Sequence, residues 1–307
     1  MPPAIGRFWH ASARVYPDPG LRSLVQRARY AIQARSVAPQ LDRLLAAPPE
    51  SPLGKCVAHR PEVVGLVVAP FINASWGPRK RLDSFLSQFD TLQKLGPAFD
   101  FDISQSIELP RIEALGDEYL IVLDKPKWFQ REGLLTLNIF RHNVRLFSLA
   151  FSIDEIDGKR TVIIGALQGR RIEGALDEYR HLTKLAHGLR PRDLLIDCLR
   201  IIAAAIGVER IIAVSDACRH HRHPFFGQDP KRELPLDYDE IWRDRGGQEI
   251  SGGFFELPLE RQQRPLEEVS AKKRSMYRQR YAMLDAMEKD IRDALPRLKP
   301  VTRPEAD

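Results

Sequence analysis

The strongest constraint in this sequence lies in residues 160–216, where two β-branched runs flank two helical ones. Thr161-Val162-Ile163-Ile164 closes at Gly165, and Ile211-Ile212-Ala213-Val214 closes at the polar pair Ser215-Asp216. Short apolar β-branched runs with turn residues behind them read as buried strands. Between them, residues 174–187 and 192–206 carry apolar side chains at helical spacing. The second run shows Leu194, Leu195, Cys198, Leu199, Ile202, Ala203 and Ile206 before Gly207, a residue suited to a helix C-terminal cap. Strand, helical crossover and strand make a right-handed βαβ unit with parallel strands, and the strand ends are where a site is expected.

The rest of the chain divides around that unit. Residues 21–45 read as a helix broken near Pro39, residues 61–69 as a helical turn, and residues 78–95 as a helix ending at Gly96-Pro97. Residues 119–123, 134–140 and 144–153 are apolar strands, with His142-Asn143 and Asp157-Gly158 as hairpin turns that lead into the Thr161 strand. Residues 220–245 read as a polar loop carrying a short helix at Tyr238–Trp242. A last strand covers residues 253–257, and a helix with Tyr277, Tyr281, Leu284, Ile291 and Leu295 on its apolar stripe covers residues 266–295. The fold class is α+β: a basic N-terminal extension over residues 1–57, a helical module over 58–115 and a mixed sheet domain over 116–307.

Composition narrows the class further. With 43% hydrophobic and 29% charged residues and no apolar run near ~18 residues, the chain lacks the signature of a membrane-spanning segment. Its first residues lack the apolar core of a signal peptide, so the cytoplasm is the expected compartment. Three cysteines, far apart, argue against a disulfide framework. A net charge of +6 suits an anionic ligand. Nucleic acid is not expected, because no interleaved basic and aromatic reader surface is present.

A set of phrases in fixed order resembles the VirK/YbjX family of bacterial proteins: Pro70-Phe71-Ile72 with Trp76, then Gly165 to Gly169 (GALQG), Thr183 to Arg190 (TKLAHGLR) and Ile212 to Asp216 (IAVSD). Tyr238 to Trp242 (YDEIW), Gly253 to Pro258 (GFFELP) and Ala271 to Asp285 (AKKRSMYRQRYAMLD) continue the series. The resemblance spans about residues 61–285. It implies a cytoplasmic protein of Gram-negative bacteria that supports envelope and surface-protein assembly, virulence and resistance to antimicrobial peptides, and it implies no reaction. An envelope or surface-protein assembly factor is the partner it suggests.

The order of elements is also similar to the GNAT acyltransferase fold, in which a central strand and the following helix start hold the pyrophosphate of acyl-CoA. The corresponding residues here are Gln168, Gly169, Arg170, Arg171 and Gly174. Arg171 and Gly174 fit the start of that family's Arg/Gln-x-x-Gly-x-Gly/Ala signature, whereas Leu176 departs from its close. A strand-ending turn with exposed arginines is the plain alternative.

After the second strand, Cys218-Arg219-His220-His221-Arg222-His223 offers metal-type ligands, but interleaved arginines repel a cation, and no metal is expected. A single loop histidine, His221, is the candidate general base, with Asp216 or Ser215 either orienting it or capping the turn. Lys272, Lys273, Arg274 and Arg280 make the last helix basic at its start, either for an anionic partner or as an ion-pair network with Glu267 and Glu268. Tyr238 and Trp242 either rim the cleft or anchor their loop. Two functions follow: a non-catalytic adaptor for envelope assembly, or an acyl-CoA-dependent transferase.

Overall fold

A computed structural model describes residues 3–227 and 236–302; part of the loop read at 220–245 lies outside the described residues. Helices come first: α1 (Pro3–Val15), α2 (Leu21–Ala34), α3 (Ala38–Leu45), α4 (Pro52–His59) and α5 (Pro78–Leu95). Pro39 sits in the first turn of α3, where its missing N–H costs nothing, so the break near it falls before the proline rather than at it. Residues Pro61–Val67 form a 3-10 helix.

The sheet follows, with β1 (Gln105–Glu108), β2 (Tyr119–Asp124), β3 (Leu135–Arg141), β4 (Val144–Ile156) and β5 (Lys159–Gly169) paired antiparallel in sequence. Helices α6 (Ala175–Leu185) and α7 (Pro191–Ala205) carry the chain over to β6 (Arg210–Val214), which runs parallel to β5. The βαβ unit is therefore present, with Gly207 at φ +68 behind α7. Helix α8 (Tyr238–Asp244), β7 (Gln248–Ile250), β8 (Phe254–Leu257), α9 (Ala271–Ala294) and β9 (Val301–Thr302) complete the chain. Among the described residues the strands form one mixed open sheet in the order β7-β8-β6-β5-β4-β3-β2-β1-β9.

Several boundaries differ from the sequence reading. Helix α9 starts at Ala271 rather than 266, because Leu266–Glu268 close a 3-10 turn and Val269 is extended. Strands β1, β7 and β9 were not expected; each has two to four residues, too short for an alternating pattern to show. In the turn at 142–143 it is His142, not Asn143, that takes positive φ (+53).

The most consequential difference is at Gly165, which does not close its strand. The β4–β5 register pairs Phe151 with Ile164 and Ala150 with Ala166, so Gly165 is an extra residue, a bulge within β5. Its cause is a close backbone approach: a Cβ on Gly165 would lie 1.8 Å from the carbonyl oxygen of Glu132. Next to it, a Cβ on Gly133 would lie 2.5 Å from the carbonyl oxygen of Phe151. Two glycines thus let the loop between β2 and β3 lie directly on β4 and β5.

One face of β4 decides where an opening can form. Side chains alternate along a strand, so Ser148, Ala150, Ser152 and Asp154 share a face. Asp154 at one end accepts a 2.6 Å hydrogen bond from Ser87 of α5, and Ala150 packs with Phe129 and Ala166 in the middle. The helical layer covers that end, and Ser148 at the other end is left to line a cavity.

Gly165→Ala places a methyl group against backbone that cannot step aside. We expect it to cost about 3 kcal/mol, read as a lower denaturant midpoint, whereas an unchanged midpoint contradicts the close approach.

Candidate functional site

The cavity lies where β5 outruns β6. Their parallel pairing ends at Ile164–Ala213, but β5 continues to Gly169, and Gln168, Gly169, Arg170 and Arg171 line the space beside it. Its volume is about 1050 Å³. Ser148 and Gln168 line its floor, and the register of β3, β4 and β5 sets the buried Asn138 beside Ser148 in the same cross-strand polar row. Ser148 Oγ donates to Asn138 Oδ1 at 2.7 Å, and Asn138 Nδ2 donates to Asp124 Oδ1 at 2.7 Å.

A second irregularity aims an arginine into this space. The β3–β4 register shifts after Ile139, so that Arg145 falls opposite Phe140, and Arg145 lines the cavity. Its guanidinium donates to Asn138 Oδ1 at 2.6 Å, pairs with Asp124 at 3.1 Å and stacks 4.6 Å from the Trp128 ring. Arg145, Arg170, Arg171 and Arg219 all line the cavity, and no carboxylate does among the described residues. Arg145 is paired with Asp124 and Arg219 with Asp216, so the excess positive charge along the cavity comes from Arg170 and Arg171.

Beyond β5, residues 170–174 turn into α6, with Gly174 at φ +73 before the first helical residue. Arg170 N–H donates to Leu146 O, and the Tyr179 hydroxyl donates to Arg170 O at 2.9 Å. A Cβ on Gly169 would meet that hydroxyl at 2.4 Å, so a larger residue here would displace the Tyr179 side chain. The amides of Arg171, Ile172, Glu173 and Gly174 donate to no backbone carbonyl among the described residues. The expected turn of Gln168, Gly169, Arg170, Arg171 and Gly174 thus borders the cavity, and the first four of these line it.

The histidine loop supplies the opposite wall. His221 lines the cavity with its side chain 29% exposed, and Nδ1 of His220 and of His221 lie 3.3 Å and 3.9 Å from Oε1 of Glu132. The two imidazole rings are 3.7 Å apart. Glu132 is 4% exposed, and this burial pushes its carboxyl up to about 8, against the opposing pull of Arg219. Near neutral pH the group is largely a neutral acid, held against two imidazoles. Glu132 was not a candidate in the sequence, because nothing in the phrase around it (WFQREG) has a periodic or motif signal.

The loop that carries Glu132 and the loop that carries the histidines are held by one segment. Ile72 N–H donates to Arg131 O at 2.7 Å and Ala74 N–H donates to Cys218 O at 2.8 Å. Ile72 has φ +57, a conformation costly for a β-branched residue and kept by these bonds. The resembling phrase at Pro70 to Trp76 is thus the brace of the site.

Other candidates fall elsewhere. Asp216 does not orient His221: its carboxylate takes Arg219 at 3.0 Å and Arg222 at 3.1 Å, and hydrogen bonds from these arginines hold it below the usual range despite partial burial. Ser215 belongs to the turn, its amide bonded to Gly253 O and its carbonyl to Cys218 N. Tyr238 and Trp242 are 1% and 0% exposed, so they are anchors and not rim residues. Trp242 Nε1 donates to Val214 O, while the Tyr238 hydroxyl bonds both N–H and C=O of Leu167 on the β5 edge. Arg219 stacks 3.7 Å over the Tyr238 ring.

At the start of α9, Arg274 donates to Leu266 O and Val269 O, and Arg280 donates to His187 O, behind α6. Lys272 and Lys273 are exposed. Of the metal-type residues, His223 is held by Arg81 and the Phe225 amide, and Cys218 packs against Gly253. Glu132, His220 and His221 have ligand atoms within 4.8 Å of one another, a spacing that fits a cation, beside Arg219, which opposes one. Among the described residues no helix is long and apolar enough to cross a membrane.

Comparison with known proteins gives a family without an activity. Residues 19–293 match the family described as "Protein of unknown function (DUF535)". Over 293 residues the chain is 29% identical to "Uncharacterized protein YbjX" of Escherichia coli (strain K12), covering 92% of this chain and 84% of that one. It is 35% identical over 134 residues, 44% of each chain, to an "Uncharacterized protein" of Haemophilus influenzae. A protein of Mannheimia haemolytica named "Membrane protein LapB" is 25% identical over 218 residues, 67% of this chain and 90% of that one. No solved structure matches.

The buried acid gives a measurable pH dependence. Folded Glu132 keeps its proton up to about 8, against an ordinary value of 4.5, so its stabilising contribution is complete below pH 4.5 and is lost as pH rises towards 8. In urea unfolding from pH 5 to 8, wild type should lose stability relative to Glu132→Gln by up to about 1.4 kcal/mol per pH unit. Parallel curves would mean that the folded chain carries an ionised Glu132.

The match across residues 19–293, with the full-length similarity to YbjX, places this chain in the DUF535 family, the VirK/YbjX group that its ordered phrases resemble.

Proposed function

We propose that the chain is an acyltransferase that takes its acyl group from an acyl-CoA-type thioester bound in the cavity beside β5. The observation that carries this reading is the parting of β5 from β6 after Ile164–Ala213, with an arginine-lined cavity along the extension and at its end a turn whose amides donate to no backbone carbonyl among the described residues. The element order and this turn are the features similar to the GNAT fold, and Leu176 remains a departure from its signature. Backbone amides before a helix, with Arg170 and Arg171 beside them, suit a diphosphate.

The chemistry falls to the histidine wall. His221 lines the cavity with Nδ1 3.9 Å from Oε1 of Glu132, and an imidazole at that wall suits a general base. The acceptor's amine or hydroxyl attacks the thioester carbonyl, the C–S bond breaks, and the acceptor's proton passes through the imidazole to the leaving thiolate. Arg219 and Arg145 present positive charge to the developing oxyanion side of the cavity. The strand edge at Leu167 is closed by Tyr238, so the donor is held by the cavity floor and the turn and not by pairing with β5.

The role in envelope and surface-protein upkeep, virulence and antimicrobial-peptide resistance implied by the VirK/YbjX resemblance is a proposal at the level of the process. Acylation of an envelope precursor is the activity that connects it to this cavity. Of the basic residues behind the adaptor reading, Arg274 and Arg280 are bonded to carbonyl groups of the chain itself, and Lys272 and Lys273 are the two left exposed for a partner.

Thermal unfolding with coenzyme A tests the reading directly. At a hundred times its Kd a ligand stabilises by about 2.7 kcal/mol, so a rise in Tm of several degrees is expected, and Arg170→Ala with Arg171→Ala should abolish it. No shift at millimolar coenzyme A would remove the reading's basis.

A further inference from the structure

The cavity pairs two kinds of lining that a small polar acyl group does not need. Its cations are Arg170 and Arg171, with Arg145 and Arg219 beside them in ion pairs to Asp124 and Asp216, and the remaining walls include Trp128, Phe129, Phe147, Tyr179, Leu176 and Leu236. Two of these apolar residues face solvent: Trp128 is 44% exposed and Leu176 is 70% exposed. Both line the same cavity, so their exposed apolar surface belongs to it. At about 1050 Å³ the space lies just above the range of ordinary small-molecule sites, roughly 300 to 1000 Å³.

The apolar walls are also held in place before any ligand arrives. The Trp128 ring is stacked by the Arg145 guanidinium, itself fixed by Asp124 and Asn138. Phe147 packs edge-on against Tyr179, whose hydroxyl is tied to Leu146 O and Arg170 O. Phe129 rests on Ala150 and Ala166, small residues that keep the sheet low beneath the cavity. A rigid aromatic wall beside fixed cations matches a molecule with an acidic head and a long hydrocarbon chain.

We propose that the cavity binds an anionic amphiphile, its acidic head on the arginines and its alkyl chain along Trp128, Phe147 and Leu176. This deepens the acyltransferase reading, on which it rests for the form of the ligand: the transferred group is a long-chain acyl group and not acetyl.

Titration calorimetry with coenzyme A, acetyl-CoA, octanoyl-CoA and palmitoyl-CoA below their micellar concentrations, together with dodecyl phosphate, tests both. Each fully buried methylene is worth about fourfold in affinity, so even partial burial predicts at least a tenfold gain from acetyl to octanoyl and a further gain to palmitoyl. Leu176→Asp should cut the acetyl-to-octanoyl gain at least threefold. Its exposure leaves the fold unsupported by that side chain, which an unchanged Tm of the free protein verifies. Equal affinity for every coenzyme A species overturns the long-chain proposal and keeps the transferase reading. Binding of dodecyl phosphate with no coenzyme A species bound keeps the amphiphile and overturns the transferase reading, and binding of neither overturns both.

Discussion

The structure depends on one close approach, the carbonyl of Glu132 lying against Gly165 where any Cβ would overlap it. Because the backbones touch, β5 takes in an extra residue there, and the strand is re-aimed beyond that point. That bulge comes one residue after the last β5–β6 pair, so the approach of Glu132 and the parting of the two strands coincide. The opening beside β5 is thus a consequence of loop packing, and the same packing drives the Glu132 carboxyl into the interior.

Burial then decides the electrostatics. A carboxyl at 4% exposure cannot afford full charge without strong compensation, and Arg219 supplies only part of it because that guanidinium is already shared by Asp216 and the Tyr238 ring. Glu132 therefore holds a proton against His220 and His221, while Asp216, partly buried and bonded by two arginines, holds charge. Two acids near one loop are driven in opposite directions by their surroundings. This separation of a neutral acid from an ionised one is the kind that acid–base chemistry uses.

How much of this was legible follows from which features are local. The parallel strands, the crossover helices and the meander announce themselves through β-branched runs, helical spacing and an Asp-Gly turn, and each is found. The turn from Gln168 to Gly174 and the loop of His221 could be placed because both sit at strand ends. Glu132 could not, since its significance comes from contacts with residues 33 and 88 positions away. Gly165 was misread for a related reason: a glycine after a β-branched run signals a stop or a bulge equally well, and only the backbone of Glu132 selects between them. The arginines of α9 looked like a surface for a partner, yet Arg280 reaches a carbonyl 93 residues away that no local pattern reveals.

Tyr238 shows how the opening avoids becoming a liability. Once β5 leaves β6, its edge N–H and C=O groups face no strand, and unsatisfied backbone of that kind either costs stability or recruits another chain. The Tyr238 hydroxyl accepts from Leu167 N–H at 2.7 Å and donates to Leu167 C=O at 3.0 Å, so one side chain replaces a strand at that position. Trp242, one turn further along α8, ties the helix to the last residue of β6. Helix α8 therefore spans the gap between the two strands at its base, and Arg219, stacked on Tyr238, carries that support to the cavity wall. The parting is fixed open from behind while its front remains lined by arginine and aromatic side chains, which is why a cavity of this size can persist in an otherwise close-packed sheet.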